Sequence, residues 1–486
     1  MTTIRTRFQM LIQRLRSGSF LGNVLILAGG TGLGQLVIIL VSPILTRIYS
    51  PDDFGILAIF ASMMSILAVI SALRYEFAIP LPEKDEDAVA LLKLTLAIIG
   101  LFSLFITIII WVMGDAIELW THAPGLTSFL WMLPLGLLGM GSYQALNYWA
   151  ARKKQFSLLS FSRTTQALGR AGLQTLGGFL ALGPIGLIGG LVAGKWFGTL
   201  SLAWGIVKGE KLPGASSMRY VARRYKNFPL FTAWSALINV IGIQIPPVLF
   251  ARYFSVGDAG FFSLTMRVLG LPAALVGQAV GQVFYPLAAD RINEQKDSGV
   301  FVERTATALL SISLPTFALV FFSGPVLFTL VFGKSWTTAG LYASYLSPWL
   351  LISFVSSPLS TFALAKEKQK LASLLTIYET SLRLGAVWLG GWLGSAEWAV
   401  KLFAAAGVII ALVYLEWVLH LSGSGLIHWL GTIRVFVVVA ILLIILLAAG
   451  MVFLSTYVFL ALNIIVWTGF AFWFVRSALQ GVNQHV

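Results

Sequence analysis

About fourteen runs of roughly 20 apolar residues follow one another along this chain, each long enough to cross a hydrocarbon layer about 30 Å thick. Backbone in such a layer must satisfy its own hydrogen bonds, so the runs can only be membrane-spanning α-helices or a closed barrel. Runs of this length are helices. The predicted spans are 22–46, 54–80, 88–113, 127–150, 157–182, 185–207, 228–251, 259–287, 304–331, 338–363, 371–393, 397–419, 434–453 and 457–475. The fold class expected is an all-α polytopic membrane protein with about 14 transmembrane helices.

Charge orients them. The chain holds 33 basic and 19 acidic residues, and the basic ones cluster between the apolar runs. With the N-terminus inside, 22 basic residues fall in inside segments and only Arg47, Arg252 and Lys334 outside. The positive-inside rule requires that asymmetry, and one helix more or fewer near the start would destroy it. Both termini are therefore expected in the cytoplasm, and the basic balance implies membrane loops rather than nucleic acid. Residues 1–21 place Ile4, Phe8, Leu11, Ile12 and Leu15 on one helical face with arginines around them, an interfacial helix with no signal-peptide pattern. Cysteine is absent, and His122, His420, His428 and His485 lack ligand spacing, so no metal site or cofactor is expected.

The sequence repeats itself. LTRIYSPDDFG at 45–55 and LFARYFSVGDAG at 249–260 align Arg47, Ser50, Asp53 and Gly55 with Arg252, Ser255, Asp258 and Gly260, 205 residues later. ARKKQ at 151–155 parallels AKEKQ at 365–369. Arg170 with Gly177-Gly178 parallels Arg383 with Gly390-Gly391, 213 residues on. An even number of helices separates each match, so the halves insert in parallel. The expected plan is a six-helix bundle at 22–207, a basic linker at 208–227, a second six-helix bundle at 228–419, and two more helices within 420–486. Two such bundles rocking against each other give alternating access.

LTRIYSPDDFGILAIF at 45–60 and LRYEFAIPLPEKDEDA at 73–88, with the two-bundle plan, resemble the polysaccharide transporter family. These are the Wzx-type oligosaccharide flippases of the multidrug/oligosaccharidyl-lipid/polysaccharide exporter superfamily. The motif likeness covers about the first sixth of the chain, and the rest matches in architecture. The resemblance implies a monomer in the bacterial inner membrane that moves undecaprenyl-pyrophosphate-linked oligosaccharide from cytoplasm to periplasm. It further implies O-antigen, capsule or exopolysaccharide assembly, with a polymerase and chain-length proteins as partners.

A charge at bilayer depth costs about 2.5–3.5 kcal/mol on insertion scales, so it faces a wet cavity or a partner. Eight basic residues fall within the predicted helices. Arg74, Lys93, Arg163 and Lys401 lie near enough to a surface to snorkel. Arg170, Lys195 and Arg383 fall mid-helix and need a cavity or a countercharge. The candidate cationic cavity comprises Arg170, Arg383, Lys195, Arg267, Arg163 and Arg74, gripping the pyrophosphate while the prenyl tail stays in membrane lipid. Arg163 and Arg170, seven apart, share a helix face. Glu379 pairs with Arg383 at i, i+4 as a competing, structural use of both. Glu76 and Glu379 are the candidates for ion coupling.

Other features have plainer explanations. Asp53 and Asp258 suit helix caps, Gly29, Gly30, Gly32 and Gly34 suit close helix packing, and most tryptophans, including Trp234, Trp388 and Trp392, suit interfacial anchors. A drug exporter of the same superfamily would present carboxylates to cationic drugs, whereas the mid-depth charges here are basic. A membrane enzyme on the same lipid carrier would need acid/base residues on an extended loop. The longest outside loop expected holds only Asp115, Glu118 and His122, so no catalysis is expected.

Overall fold

A computed structural model describes residues 20–209, 213–273, 277–453 and 455–483, and every regular element among them is helical. The expected interfacial helix at 1–21 lies, but for its last two residues, outside the described residues. The long helices are α1 (Phe20–Ile48), α2 (Pro51–Ser71), α3 (Asp85–Thr121), α4 (Met132–Arg152), α5 (Phe156–Phe179), α6 (Pro184–Gly209), α7 (Ala233–Tyr253) and α8 (Val256–Pro272). There follow α9 (Gln278–Asn293), α10 (Gly299–Phe332), α11 (Thr337–Leu359), α12 (Gln369–Trp392), α13 (Ala396–Leu421), the short α14 (Leu426–Thr432), α15 (Arg434–Phe453) and α16 (Thr456–Asn483). The chain is an all-α polytopic membrane protein. Among the described residues nine helical segments are long and apolar enough to cross a membrane, or ten if α14 and α15, which meet at 82°, form one span. Helices α5 and α12, 24 residues each, have the length but not the apolarity, and these two carry Arg163, Arg170 and Arg383.

Contacts divide the chain into one unit up to Gly260 and another from Phe261. That division falls one helix beyond the basic linker, because α7 packs on α2. In the first unit α5 lies between α1 and α6, with α6 also against α4. Glycine sets the closeness: a Cβ on Gly30 of α1 would stand 2.0 Å from Ser160 Oγ of α5. The Tyr49 hydroxyl then fastens the end of α1 by donating to the Gln174 carbonyl at 2.7 Å. In the second unit α10 packs on α11, α11 on α13, and α13 on α12. The C-terminal helices join this unit through α10. Asn463 of α16 donates to Ser323 Oγ at 2.6 Å in a buried contact, and α14 is tied down by His428 Nδ1, 2.8 Å from Glu303, and by Trp429 Nε1 donating to Thr307 at 2.9 Å.

The repeated motif builds the same cap twice. Ser50 accepts from the Asp53 amide at 3.1 Å while Asp53 accepts from the Ser50 amide at 2.8 Å, a capping box that satisfies the first turn of α2. Ser255 accepts from the Asp258 amide at 3.0 Å in α8. Both caps lie in the first unit and meet reciprocally. A Cβ on Gly55 would stand 1.9 Å from the Val256 carbonyl oxygen, and one on Gly260 would stand 2.1 Å from that of Pro51. Each motif offers its glycine to the other's backbone.

Two expectations are corrected. The helix expected at 54–80 ends at Ser71, because Leu73 (φ 50°) and Arg74 (φ 63°) turn left-handed, a conformation no helix continues through. Arg74 and Glu76 thus lie on a connecting segment rather than within a helix. The segment is held from α4: the Arg152 guanidinium donates to the carbonyls of Pro80 at 3.1 Å and Pro82 at 2.6 Å and to Asp85 at 2.8 Å, while Lys153 reaches Asp85 at 2.7 Å. The outside loop with Asp115 and Glu118 is helical, since α3 runs on to Thr121; the Glu118 carboxylate accepts from the amides of Gly125 at 2.9 Å and Thr127 at 2.8 Å. The helix expected at 259–287 is described as α8 and α9, on either side of residues 274–276, which lie outside the described residues.

Candidate functional site

Helices α5 and α6 bring three of the six candidate cations together. Arg163 and Arg170 of α5 and Lys195 of α6 line a cavity of about 320 Å³, joined by Gly34, Gln35 and Ile38 of α1 and Tyr143 of α4. The spacing in sequence explains the convergence. Seven residues are nearly two turns, so Arg163 and Arg170 point the same way, roughly 10 Å apart along the axis. Lys195 arrives because α6 has no side chains where it crosses α5: a Cβ on Gly194 would be 2.7 Å from Arg170 Cβ, and one on Gly190 would be 2.4 Å from Gln174 Cγ. The α6 crossing is set from the other side by Thr199, which donates to the Gly139 carbonyl at 2.8 Å, and Trp196, which donates to that of Leu135 at 3.1 Å.

The lining contains no carboxylate among the described residues; its other polar groups are Gln35, Tyr143 and Gln166. Three like charges in one small cavity inside an apolar bundle repel one another and lack water's full screening. An anion removes both penalties. The cavity can bind a phosphate-like group, with guanidinium forks holding oxygens in pairs and the lysine supplying a compact charge. Sequence reasoning missed Gln35, Tyr143 and Gln166, and for Gln166 a signal existed: it stands one turn before Arg170 on the same face.

The remaining candidates lie elsewhere. Arg383 of α12 is ion-paired with Glu379 and stands over the Trp349 ring at 4.1 Å and the Phe403 ring at 5.6 Å. The competing pairing expected from their spacing is therefore formed. Arg267 on α8 makes no ion pair among the described residues. Arg74 lies 3.7 Å from Glu76 and over the Phe77 ring at 5.1 Å, outside the α5–α6 cavity. Glu76 is fully buried and neither of its carboxylate oxygens has a hydrogen-bond partner among the described residues. Burial pushes its pKa up to about 7, against the opposing pull of its own nearby backbone N–H and of Arg74. Lys401, where snorkelling was expected, is instead paired with Glu397 at 2.6 Å, which also accepts from the Tyr345 hydroxyl at 2.6 Å.

Comparison with known proteins points one way. Residues 44–341 match the family described as "Polysaccharide biosynthesis protein". The chain is 26% identical over 331 residues to the succinoglycan biosynthesis transport protein ExoT of Rhizobium meliloti (strain 1021), covering 66% of this chain and 63% of that one. It is 24% identical over 207 residues to the teichuronic acid biosynthesis protein TuaB of Bacillus subtilis (strain 168), covering 41% and 42%. With the lipopolysaccharide biosynthesis protein WzxC of Escherichia coli (strain K12) it shares 21% over 374 residues, covering 76% and 73%. The matches thus span less than two thirds of ExoT and of TuaB. Among solved structures, the lipid II flippase MurJ in an inward closed conformation superposes with a TM-score of 0.74 at 13% identity, covering 95% of this chain and 99% of that one. An outward-facing multidrug resistance MATE family transporter of the MOP superfamily gives 0.53 at 12% identity, covering 84% and 97%. At these identities the likeness is one of fold.

Proposed function

Because the chain belongs to the polysaccharide biosynthesis protein family, we propose that it carries an anionic, lipid-linked sugar across the membrane. The carrying observation is the cavity of Arg163, Arg170 and Lys195, cationic and without a carboxylate among its described lining residues. A bare phosphate in hydrocarbon would cost tens of kcal/mol, and a transporter must offset that cost at mid-membrane. Each charge-assisted hydrogen bond supplies roughly 1.5–3 kcal/mol. The substrate proposed is an undecaprenyl-pyrophosphate-linked oligosaccharide, moved from the cytoplasmic to the periplasmic leaflet of the bacterial inner membrane by alternating access of two parallel six-helix repeats.

Arg74, Arg267 and Arg383, on other elements, come in as secondary cations along the route. Glu76 and Glu379 are proposed for ion coupling, and both termini are proposed to face the cytoplasm. ExoT, TuaB and WzxC are named for biosynthesis of polysaccharides, and MurJ as a lipid flippase, which supports this class over drug export. The polarity of the cavity supports it independently, since a cationic drug would be repelled.

The test is in cells. A strain lacking the gene is expected to accumulate the lipid-linked oligosaccharide on the cytoplasmic leaflet, cured by the wild-type protein but not by the Arg163→Ala, Arg170→Ala variant inserted at equal level. Full rescue by that variant would refute the cavity's role, and normal distribution without the gene, in a strain with no redundant flippase, would refute flipping.

A further inference from the structure

The basic linker has one buried face and one charged face, and the buried face fixes where the charges stand. Residues 208–227 hold six basic side chains and one acidic, Glu210. Within them Met218–Arg224 forms a short helix that packs on α3. Val221 is fully buried there, in a cluster with Ala88 and Leu91 of α3 and Trp149 of α4, and Tyr225 and Phe228 pack against the same cluster. Two hydrogen bonds secure the flanks. The Tyr75 hydroxyl donates to the Ala222 carbonyl at 3.0 Å, and the Ser216 amide donates to the Glu86 carbonyl at 3.2 Å. The linker is thus stitched to the first unit.

That attachment sets depth and direction. Glu86 lies in the first turn of α3, and the apolar span that contains α7 begins at Phe228, so the short helix stands level with the ends of two membrane spans. A segment at that level lies among lipid headgroups. With 3.6 residues to a turn, the residues two before and two after Val221 fall on the opposite side of the helix. They are Arg219 and Arg223, and both are exposed. Arg224 and Lys226 are exposed beside them, with Arg224 donating to the Tyr220 hydroxyl at 2.8 Å. None of these four cations is ion-paired with a carboxylate among the described residues. Leu230, Phe231 and Trp234 follow, all exposed at the start of the span. Cations come first and apolar and aromatic side chains next, the order in which a membrane presents phosphate and then hydrocarbon.

Charge selects the lipid. A zwitterionic headgroup brings no net charge to meet the four cations, whereas each basic residue close to an anionic lipid surface adds about fivefold in affinity. An acidic protein segment would satisfy the cations alone and leave Leu230, Phe231 and Trp234 uncovered. We infer that the linker helix is a docking site for anionic phospholipid headgroups, bound by Arg219, Arg223, Arg224 and Lys226 and held in place by the buried Val221. The site shares no residue with the α5–α6 cavity, so it stands whether or not that cavity carries the substrate.

The test uses the purified full-length protein in detergent, titrated with phosphatidylglycerol or phosphatidylcholine, with bound lipid counted by native mass spectrometry. The wild type is expected to prefer phosphatidylglycerol by about tenfold or more, with the preference shrinking as salt is added. The Arg219→Gln, Arg223→Gln variant, altered only at exposed side chains, is expected to keep less than about threefold of that preference. The Lys368→Gln, Lys370→Gln variant removes the same charge from exposed positions of the second unit and is expected to keep the wild-type preference. Equal losses in the two variants overturn the inference, as does a wild type without preference. Displacement of the bound phosphatidylglycerol by an equimolar amount of farnesyl pyrophosphate overturns it too, because the linker would then be a site for a pyrophosphate carrier rather than for phospholipid.

Discussion

Glu76 offers the sharpest physical test, because a carboxyl with no exposed surface and no hydrogen-bond partner among the described residues should tax the folded state whenever it is charged. It sits on the segment between α2 and α3, outside the membrane-spanning helices. Its pKa rises from the usual 4.5 to about 7, chiefly through burial. The folded protein then holds this proton over a pH range in which the unfolded chain has released it. Stability from this group is complete below pH 4.5, falls as pH rises through the window, and is gone above about 7. At about 1.4 kcal/mol per pH unit, the difference between the ends of the window is roughly 3 kcal/mol. Replacing Glu76 with Gln removes the titration and keeps the shape. Thermal unfolding in detergent, followed by tryptophan fluorescence at pH 5 and pH 8, should show the wild type losing stability with pH more steeply than Glu76→Gln. The variant should be the more stable protein at pH 8. Parallel pH profiles for the two would show that Glu76 is not held as a buried, reluctant carboxylate, and the argument would fail.

The connecting segment and the paired caps make further predictions. Asp85→Asn removes the carboxylate that Lys153 and Arg152 share, and should cost about 1–2 kcal/mol in the same unfolding assay. A neutral result would mean the clamp on residues 80–85 adds nothing beyond helix packing. Gly55→Ala should cost about 1–3 kcal/mol by forcing the two caps apart. Gly29→Ala, whose Cβ would meet nothing within 4 Å, should be neutral or stabilising; equal effects at the two glycines would refute the close approach.

Sequence carried far where a single physical term dominates. Apolar run length decides membrane residence, so the all-α polytopic fold was legible, and so were the Ser50–Asp53 and Ser255–Asp258 caps, which depend only on local spacing. Seven-residue spacing put Arg163 and Arg170 on one face, and four-residue spacing paired Glu379 with Arg383. Legibility failed where backbone geometry or a remote partner decides. Leu73 and Arg74 turn left-handed within a run whose hydropathy reads straight through, because Arg152, some 70 residues on, holds the carbonyls that follow. Gln35, Tyr143 and Gln166 carry no charge to mark them, and only the packing of α1, α4 and α5 gathers them.

The reciprocal seat of Gly55 and Gly260 imposes an order of events on synthesis. Gly55 emerges 205 residues before its counterpart, which at about 5–20 residues per second is roughly 10–40 s. Through that interval α2 stands in the bilayer with an open notch at its end, shaped for a backbone that does not yet exist. The first unit cannot close on the helices of the first repeat alone. It waits for the opening turn of α8, so a nascent chain halted anywhere before Val256 is an unfinished unit, however many of its helices have already inserted.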